Sequence, residues 1–186
     1  GVIGSIKMTA GQKAPGVDGL PAEVFKAGGY GAALVVMEVS NMCLKYGSCP
    51  VEWSHGLVYP IYKGKGAQDD FGNTRPITVL PVIRKIFERA ILGELENQGG
   101  ELSVFQGGFR AGRGTLDQCL AVDAILAKKG RVTAFLDIAQ AYDGVCRELL
   151  WRKCRVRGVS DDLLAVLQSL CDRGVSRVVI KDQISR

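Results

Sequence analysis

The sequence predicts an α+β fold, and the order of its helical and extended segments carries that prediction. Helical segments come first, a hairpin-like pair of extended segments and further helices follow, and the chain ends with a strand, two helices and a last strand, an order typical of an α+β or α/β layout. Residues 82–98 place apolar side chains at helical spacing, whereas residues 55–62 are rich in β-forming residues. With 47% hydrophobic and 23% charged residues, the 186-residue chain has the composition of a globular protein of one domain or one and a half.

The first third of the chain is predicted to be mainly helical. Residues 1–10 show no clear periodicity. Pro21 suits a first helical turn and Glu23 suits the positive end of a helix, so a short helix is predicted over 21–26. Residues 32–46 carry an apolar face at helical spacing and predict a core helix.

Residues 55–80 predict a hairpin-like pair of strands with cations at its tip. Pro60 indicates that the first strand is interrupted or lies at a sheet edge. The tip presents Lys63, Lys65 and Arg75. Cations flanked by glycines can close over a phosphate, because glycine allows close backbone approach and each cation donates charge-assisted hydrogen bonds. A solvated hairpin tip explains the same lysines.

A glycine-rich basic loop follows the clean helix predicted over 81–98. The loop reads FQGGFRAGRGT and carries Arg110 and Arg113 three residues apart, a composition suited to a sugar-phosphate backbone. A long connecting loop without function is the alternative. Thr115 is predicted to cap a helix that runs to about residue 128.

Residues 131–145, RVTAFLDIAQAYDGV, place an acidic side chain inside an apolar run. The apolar run 132–138 predicts a strand covered on both faces, with the carboxylate of Asp137 inside it. Burying an ionised carboxylate costs several kcal/mol unless a cation or hydrogen bonds compensate. Two interpretations follow from these residues alone: Asp137 caps a helix that begins near Ala139, or it binds a metal ion.

The last forty residues predict two helices and a strand. Residues 146–157 form a basic helix, which either a solvated face or a nucleic-acid partner would explain; its five cations are Arg147, Arg152, Lys153, Arg155 and Arg157. Ser160 is predicted to cap a helix over 161–171. Residues 174–181 alternate like a strand, which we expect to be an unpaired edge and a cause of aggregation.

The net charge favours a polyanionic partner, and the cysteine content argues against a zinc-binding protein. A net charge of +5 and a pI near 8.9 suit a polyanionic partner. Six cysteines without a CxxC pair and a single histidine, His55, argue against a zinc cluster and indicate reduced thiols. With no apolar run of about 18 residues and no secretion signal, we expect an intracellular protein of the nucleus or cytoplasm without a membrane partner.

Taken together, these segments resemble the reverse transcriptase domain of non-LTR (LINE-like) retrotransposons. APGVDGLPAEVFK resembles the opening motif of that family, and PIYKGKG with NTRPITVLPVIRKIFERAI resembles its fingers motifs. FQGGFRAGRGT resembles the template-side loop and AFLDIAQAYDGV the first palm motif. The motifs occur in the family's order along nearly the whole chain.

The resemblance implies a right-hand polymerase with a fingers-like region over 1–129 and the first part of the palm over 130–186. Asp137 matches a catalytic carboxylate that binds two Mg²⁺ ions, and the carbonyl of Ile138 would be an additional metal ligand close to the nucleotide. Lys63 and Arg75 match cations that contact the triphosphate. Tyr142 matches the aromatic residue beside the sugar, where many relatives have phenylalanine.

The implied partners are an RNA template, a DNA primer and a deoxynucleoside triphosphate. Arg110 and Arg113 match the region that faces the template, and Asp143 would have a supporting role. The sequence contains no tyrosine-x-Asp-Asp motif, so we expect the remaining carboxylates downstream of Arg186 and an inactive, truncated fragment. A nucleic-acid-binding relic without enzymatic activity is the alternative. An unrelated phosphate-binding α/β domain is disfavoured, because neither GxxxxGK[ST] nor GxGxxG after a strand occurs.

Overall fold

The computed structural model describes residues 1–128, 130–139, 141–172, 174–180 and 183–185. The chain divides into two units, the first formed by Gly1–Gly99 with Cys154–Arg186 and the second by Gly100–Lys153. Helices and a small mixed sheet are both present, so the predicted α+β class is confirmed. Within the described part of the chain, no helix is long and apolar enough to cross a membrane.

The helices and strands largely follow the predicted order. The helices are α1 Val2–Met8, α2 Ala22–Ala27, α3 Gly29–Tyr46, α4 Val82–Gln98, α5 Thr115–Leu126, α6 Arg147–Val156 and α7 Asp161–Asp172. The strands are β1 His55–Tyr62, β2 Thr74–Val79, β3 Val175–Ile180 and β4 Gln183–Ile184. Short 3₁₀ turns at Val51–Ser54 and Phe71–Asn73 precede β1 and β2.

The sheet has the strand order β2-β1-β3-β4. β1 and β2 pair antiparallel from Leu57↔Val79 to Tyr62↔Thr74, which confirms the predicted hairpin. β1 and β3 pair parallel, and β3 and β4 pair antiparallel. The sheet is therefore mixed, and the hairpin forms one side of it.

The prediction that Pro60 interrupts the first strand is wrong, and the prediction of an edge strand holds only beyond Val58, where β3 no longer pairs with β1. β1 runs through Pro60 and lies inside the sheet, between β2 and β3. The pairing with β3 covers only His55–Val58, so Pro60 lies beyond the part bonded on both sides. Pro60 faces Pro76 in β2, and the ladder there tolerates two residues that lack a backbone donor.

The prediction of an unpaired edge over 175–181 is also wrong. β3 pairs with β1 on one side and, at Val179 and Ile180, with β4 on the other. The backbone N–H of Ser185 additionally donates to the carbonyl of Val178 over 2.9 Å. Lys181 lies outside the described residues.

The core of the first unit forms where α1, α2, α3 and α4 meet. Ile86 and Phe87 of α4 are fully buried, and the ring of Phe87 lies 5.2 Å from that of Trp53. Leu164 of α7 is equally buried. The cap predicted for α7 is confirmed, because the Leu163 N–H donates to Ser160 Oγ over 3.4 Å.

Helix α1 was not predicted, since residues 1–10 lack periodicity. Ser5 and Ile6 are nevertheless buried. Arg89 of α4 donates through Nη1 to the Ser5 carbonyl and to Thr9 Oγ1, each over 3.3 Å. A seven-residue helix is marginal by itself, so these tertiary contacts stabilise it.

The second unit has no buried residue among those described. The predicted strand over 132–138 is absent, and the side chains of Val132 and Leu136 are 97% and 95% exposed. A strand needs a hydrogen-bonded neighbour, and no described strand pairs with this run.

The predicted cap at Thr115 is wrong as well. Gly114 precedes the first helical residue, and its N–H donates to Asp117 Oδ2 over 2.7 Å.

Candidate nucleotide and nucleic-acid site

The hairpin tip holds Lys63 in a defined position. Its backbone N–H donates to the Asn73 carbonyl over 2.8 Å, which extends the β1–β2 ladder by one residue. Its Nζ donates to the Gly72 carbonyl over 2.9 Å. One donor of the ammonium group is therefore used inside the loop, and the exposed group has two more for a ligand.

Asp70 and Asn73 order the loop around Lys63. Asp70 accepts from the Gly72 N–H at 2.8 Å and from Asn73 Nδ2 at 3.3 Å. Asn73 Nδ2 also donates to the Ala67 carbonyl over 3.0 Å. Gly66 has φ +78, a conformation that favours glycine, and a Cβ there would clash with the Asn73 side chain. Sequence reasoning missed this bracing, although Asp and Asn in a loop are known turn-forming residues.

Lys63 and Arg75 lie on one face of the hairpin. Arg75 pairs with Ile61, and Lys63 lies opposite Asn73. Because side chains alternate along a strand, residues 61 and 63 share a face with residues 73 and 75. Diagonal neighbours of this kind have Cα atoms about 7–8 Å apart. The side chain of Arg75 is exposed and makes no hydrogen bond or ion pair within the described part of the chain.

The two arginines of the glycine-rich loop differ in their hydrogen bonds. Arg110 Nη1 donates to the Ser103 carbonyl over 2.9 Å, which ties the loop to its own start. The Arg113 backbone N–H donates to the Arg110 carbonyl over 3.3 Å. The Arg113 side chain is exposed and has no partner among the described residues. Arg113 is thus the freer of the two cations to meet a phosphate.

The region of Asp137 is exposed and has no regular secondary structure. Ile138 and Tyr142 expose 76% and 81% of their surface, and Asp137 is exposed as well. No helix begins near Ala139, since residues 141–144 form turns and α6 starts at Arg147, so the capping interpretation of Asp137 is wrong. Gln140 lies outside the described residues.

The described residues do not by themselves form a metal centre. Asp137 offers a carboxylate and Ile138 a carbonyl, and oxygen donors of this kind suit Mg²⁺. Across the described ranges, however, no group of three or more histidine, cysteine or acidic side chains comes together. One carboxylate does not make a two-metal site.

Part of the basic helix α6 serves the fold of the first unit. Arg155 Nε forms an ion pair with Asp161 Oδ1 at 2.9 Å. Arg157 Nε donates to the Gly99 carbonyl over 2.8 Å. Arg155 and Arg157 therefore have structural partners in the first unit.

The predicted site residues are divided between the two units. Lys63 and Arg75 belong to the first unit, where the hairpin brings them together. The second unit contains the other five: Arg110, Arg113, Asp137, Ile138 and Tyr142.

Comparison with known proteins identifies the class to which this fold and these residues belong. Residues 62–182 match the reverse transcriptase (RNA-dependent DNA polymerase) family. Because the match covers more than half of the chain, the chain belongs to this family. The matched residues include the tip of the hairpin with β2, the glycine-rich loop and the segment of Asp137.

The relatives are mobile-element proteins from Drosophila. Over 142 residues, 72% of this chain, the sequence is 33% identical to the RNA-directed DNA polymerase from mobile element jockey of Drosophila melanogaster. It is 33% identical over 141 residues to the probable RNA-directed DNA polymerase from transposon X-element, and 26% identical over 162 residues to that from transposon BS. The chain spans 16% of the length of the jockey and X-element proteins and 18% of the BS protein. The resemblance to non-LTR retrotransposon reverse transcriptases is confirmed.

Proposed function

We propose that the chain is the nucleotide- and template-contacting part of an RNA-directed DNA polymerase. The fingers of a right-hand polymerase would occupy residues 1–129, and the palm would begin at residue 130. The observation that carries this proposal is the family match over residues 62–182, which spans every predicted site residue. The substrates would be an RNA template, a DNA primer and deoxynucleoside triphosphates.

Lys63 and Arg75 would bind the triphosphate. They share one face of an ordered hairpin, and the guanidinium of Arg75 makes no bond within the described residues. A guanidinium can donate two parallel hydrogen bonds to phosphate oxygens, whereas an ammonium acts as a compact charge. Tyr142, exposed in the second unit, would contact the sugar of the nucleotide.

Arg110 and Arg113 would contact the template backbone. The bond of Arg110 to Ser103 fixes the loop, and the side chain of Arg113 is exposed. Phosphate contacts of this kind position a strand without reading its sequence. We therefore expect these arginines to act on templates of any sequence.

Asp137 would supply one carboxylate of the Mg²⁺ site, and Ile138 a carbonyl oxygen. The exposure of both residues leaves their oxygens accessible to a metal ion. The other ligands would have to come from outside the described residues, because those residues form no acidic cluster.

Primer extension by a longer polymerase that contains this chain tests the proposal. Asp137→Ala should abolish Mg²⁺-dependent extension of a primed RNA template, and Arg75→Ala should raise the KM for the nucleotide. Asp123→Ala is a matched control, because Asp123 is an exposed acid of helix α5 in the same unit. Unchanged extension by Asp137→Ala would refute the assignment of Asp137.

A nucleic-acid-binding relic without enzymatic activity is the second candidate. It is favoured by the basic glycine-rich loop, where the Arg113 side chain is exposed and has no partner among the described residues. Such a protein would bind RNA with an affinity that falls steeply with salt, and Asp137→Ala would leave binding unchanged. Mg²⁺-dependent extension by the longer protein would exclude it.

A further inference from the structure

Two phenylalanines of the glycine-rich loop are almost fully exposed. Phe105 and Phe109 each expose 92% of their surface. An aromatic ring is a large apolar group that proteins normally bury or use for contact with a ligand. Neither ring contributes to the packing of the second unit.

The loop backbone is held in a defined conformation by Ser103. Its Oγ accepts from the Phe105 N–H at 3.3 Å, and its carbonyl accepts from the Gln106 N–H at 3.0 Å and from Arg110 Nη1 at 2.9 Å. Phe109 has φ +58, a left-handed conformation that is uncommon for a bulky residue and costs on the order of 1 kcal/mol or more. The chain therefore tolerates strain at the residue whose ring it exposes.

The charge around the two rings favours a polyanion. Residues 102–116 include Arg110 and Arg113 and contain no acidic residue. The Arg113 side chain makes no bond within the described residues. Exposed aromatic rings next to arginines are a combination that binds single-stranded nucleic acids, where bases stack on rings and phosphates contact cations.

We propose that Phe105 and Phe109 stack on unpaired bases of a single-stranded nucleic acid whose phosphates contact Arg110 and Arg113. This inference rests on the proposed function, because the strand would be the template. Three residues separate Phe105 from Phe109 along the chain, so their Cα atoms lie at most about 14 Å apart. At about 3.4 Å per stacked nucleotide, that distance corresponds to at most about four nucleotides. Paired bases are not available for such stacking, so a duplex should bind more weakly.

An abasic probe separates stacking from charge. We would measure fluorescence anisotropy of the 186-residue chain with a labelled 12-nucleotide single-stranded RNA and with an abasic oligonucleotide of the same length and charge. Wild type should bind the intact RNA on the order of 10-fold more tightly than the abasic probe. Phe105→Leu and Phe109→Leu should each remove most of that preference and leave the salt dependence unchanged.

Further variants test whether the preference for the intact RNA depends on the two rings and the overall affinity on the charge of Arg113. Val104→Ala changes a neighbouring apolar side chain that is 70% exposed, and it should leave the preference intact. Arg113→Gln should lower affinity for both probes and reduce the salt slope by about one phosphate contact. Phe109→Trp should retain binding, and its fluorescence should be quenched by the intact RNA alone. Circular dichroism melts establish that each variant is folded.

The outcomes distinguish this inference from the proposed function. Salt-dependent binding with equal affinity for the intact and abasic probes would overturn stacking and leave the template-contacting role standing. Binding that is absent or independent of salt would overturn both proposals. If the leucine variants fail to fold, the comparison of the two probes on wild type still decides.

Discussion

At the scale of single residues, burial controls the chemistry of two thiols. Cys43 and Cys49 are buried in the first unit, whereas Cys119 and Cys146 are exposed. Burial raises the pKa of Cys49 to about 12, with the neighbouring Cys43 adding to the effect, and burial also raises the pKa of Cys43. Since the thiolate is the reactive form, a thiol reagent at pH 8 should label Cys119 and Cys146 in the folded chain and reach Cys43 and Cys49 only after unfolding.

The same shift predicts a pH dependence of stability. Above a pKa of about 9 the Cys49 thiol of the unfolded chain loses its proton, while the folded chain keeps it up to about 12. The unfolded state then binds fewer protons, so the free energy of unfolding falls as the pH rises through this window, by at most about 1.4 kcal/mol per pH unit. Urea titrations at pH 8 and 10.5 should show a larger loss for wild type and Cys119→Ala than for Cys49→Ala. Equal losses in all three would contradict the prediction.

At the scale of elements, one glycine fixes the approach of the N-terminal segment to α4. Gly16 is buried, and a Cβ there would lie 2.5 Å from the Pro81 nitrogen and 2.6 Å from its Cα. Backbone atoms cannot rotate away, so Gly16→Ala should cost about 1–3 kcal/mol of stability. Gly93→Ala is the matched control. Gly93 is exposed inside α4 with nothing near its Cβ, so this change should stabilise by about 0.5–1 kcal/mol. Urea denaturation measures both, and an unchanged midpoint for Gly16→Ala would contradict the argument.

Elements whose determinants are local were predictable from the sequence. The apolar stripe of α4, the β-forming runs of the hairpin and the serine before α7 each specify their element within a few residues. The predicted sharing of one hairpin tip by Lys63 and Arg75 follows from the same local pairing. Helix α1 and the parallel pairing of β1 with β3 could not be predicted, because both depend on residues far away in the chain.

At the scale of the whole molecule, the apolar composition of residues 132–138 does not determine whether they are buried. Its apolar residues indicated burial, but burial requires a neighbouring surface that the run itself does not specify. In the structure Val132, Phe135, Leu136 and Ile138 expose between 76% and 97% of their surface. The expected cause of aggregation therefore moves from β3, which is paired, to this exposed run.

Self-association should decrease when this run is made polar. An exposed apolar segment with high β-propensity favours intermolecular pairing. Because Val132 and Leu136 are almost fully exposed, Val132→Lys with Leu136→Lys should change folding stability by no more than about 0.5 kcal/mol and should raise the concentration at which the chain stays monodisperse. Light scattering over a concentration series measures the effect, and a thermal melt checks the fold. Met8→Lys is the control, since Met8 is an isolated apolar side chain, 72% exposed, in the first unit. An equal gain from Met8→Lys would show that added charge, not the run, controls association.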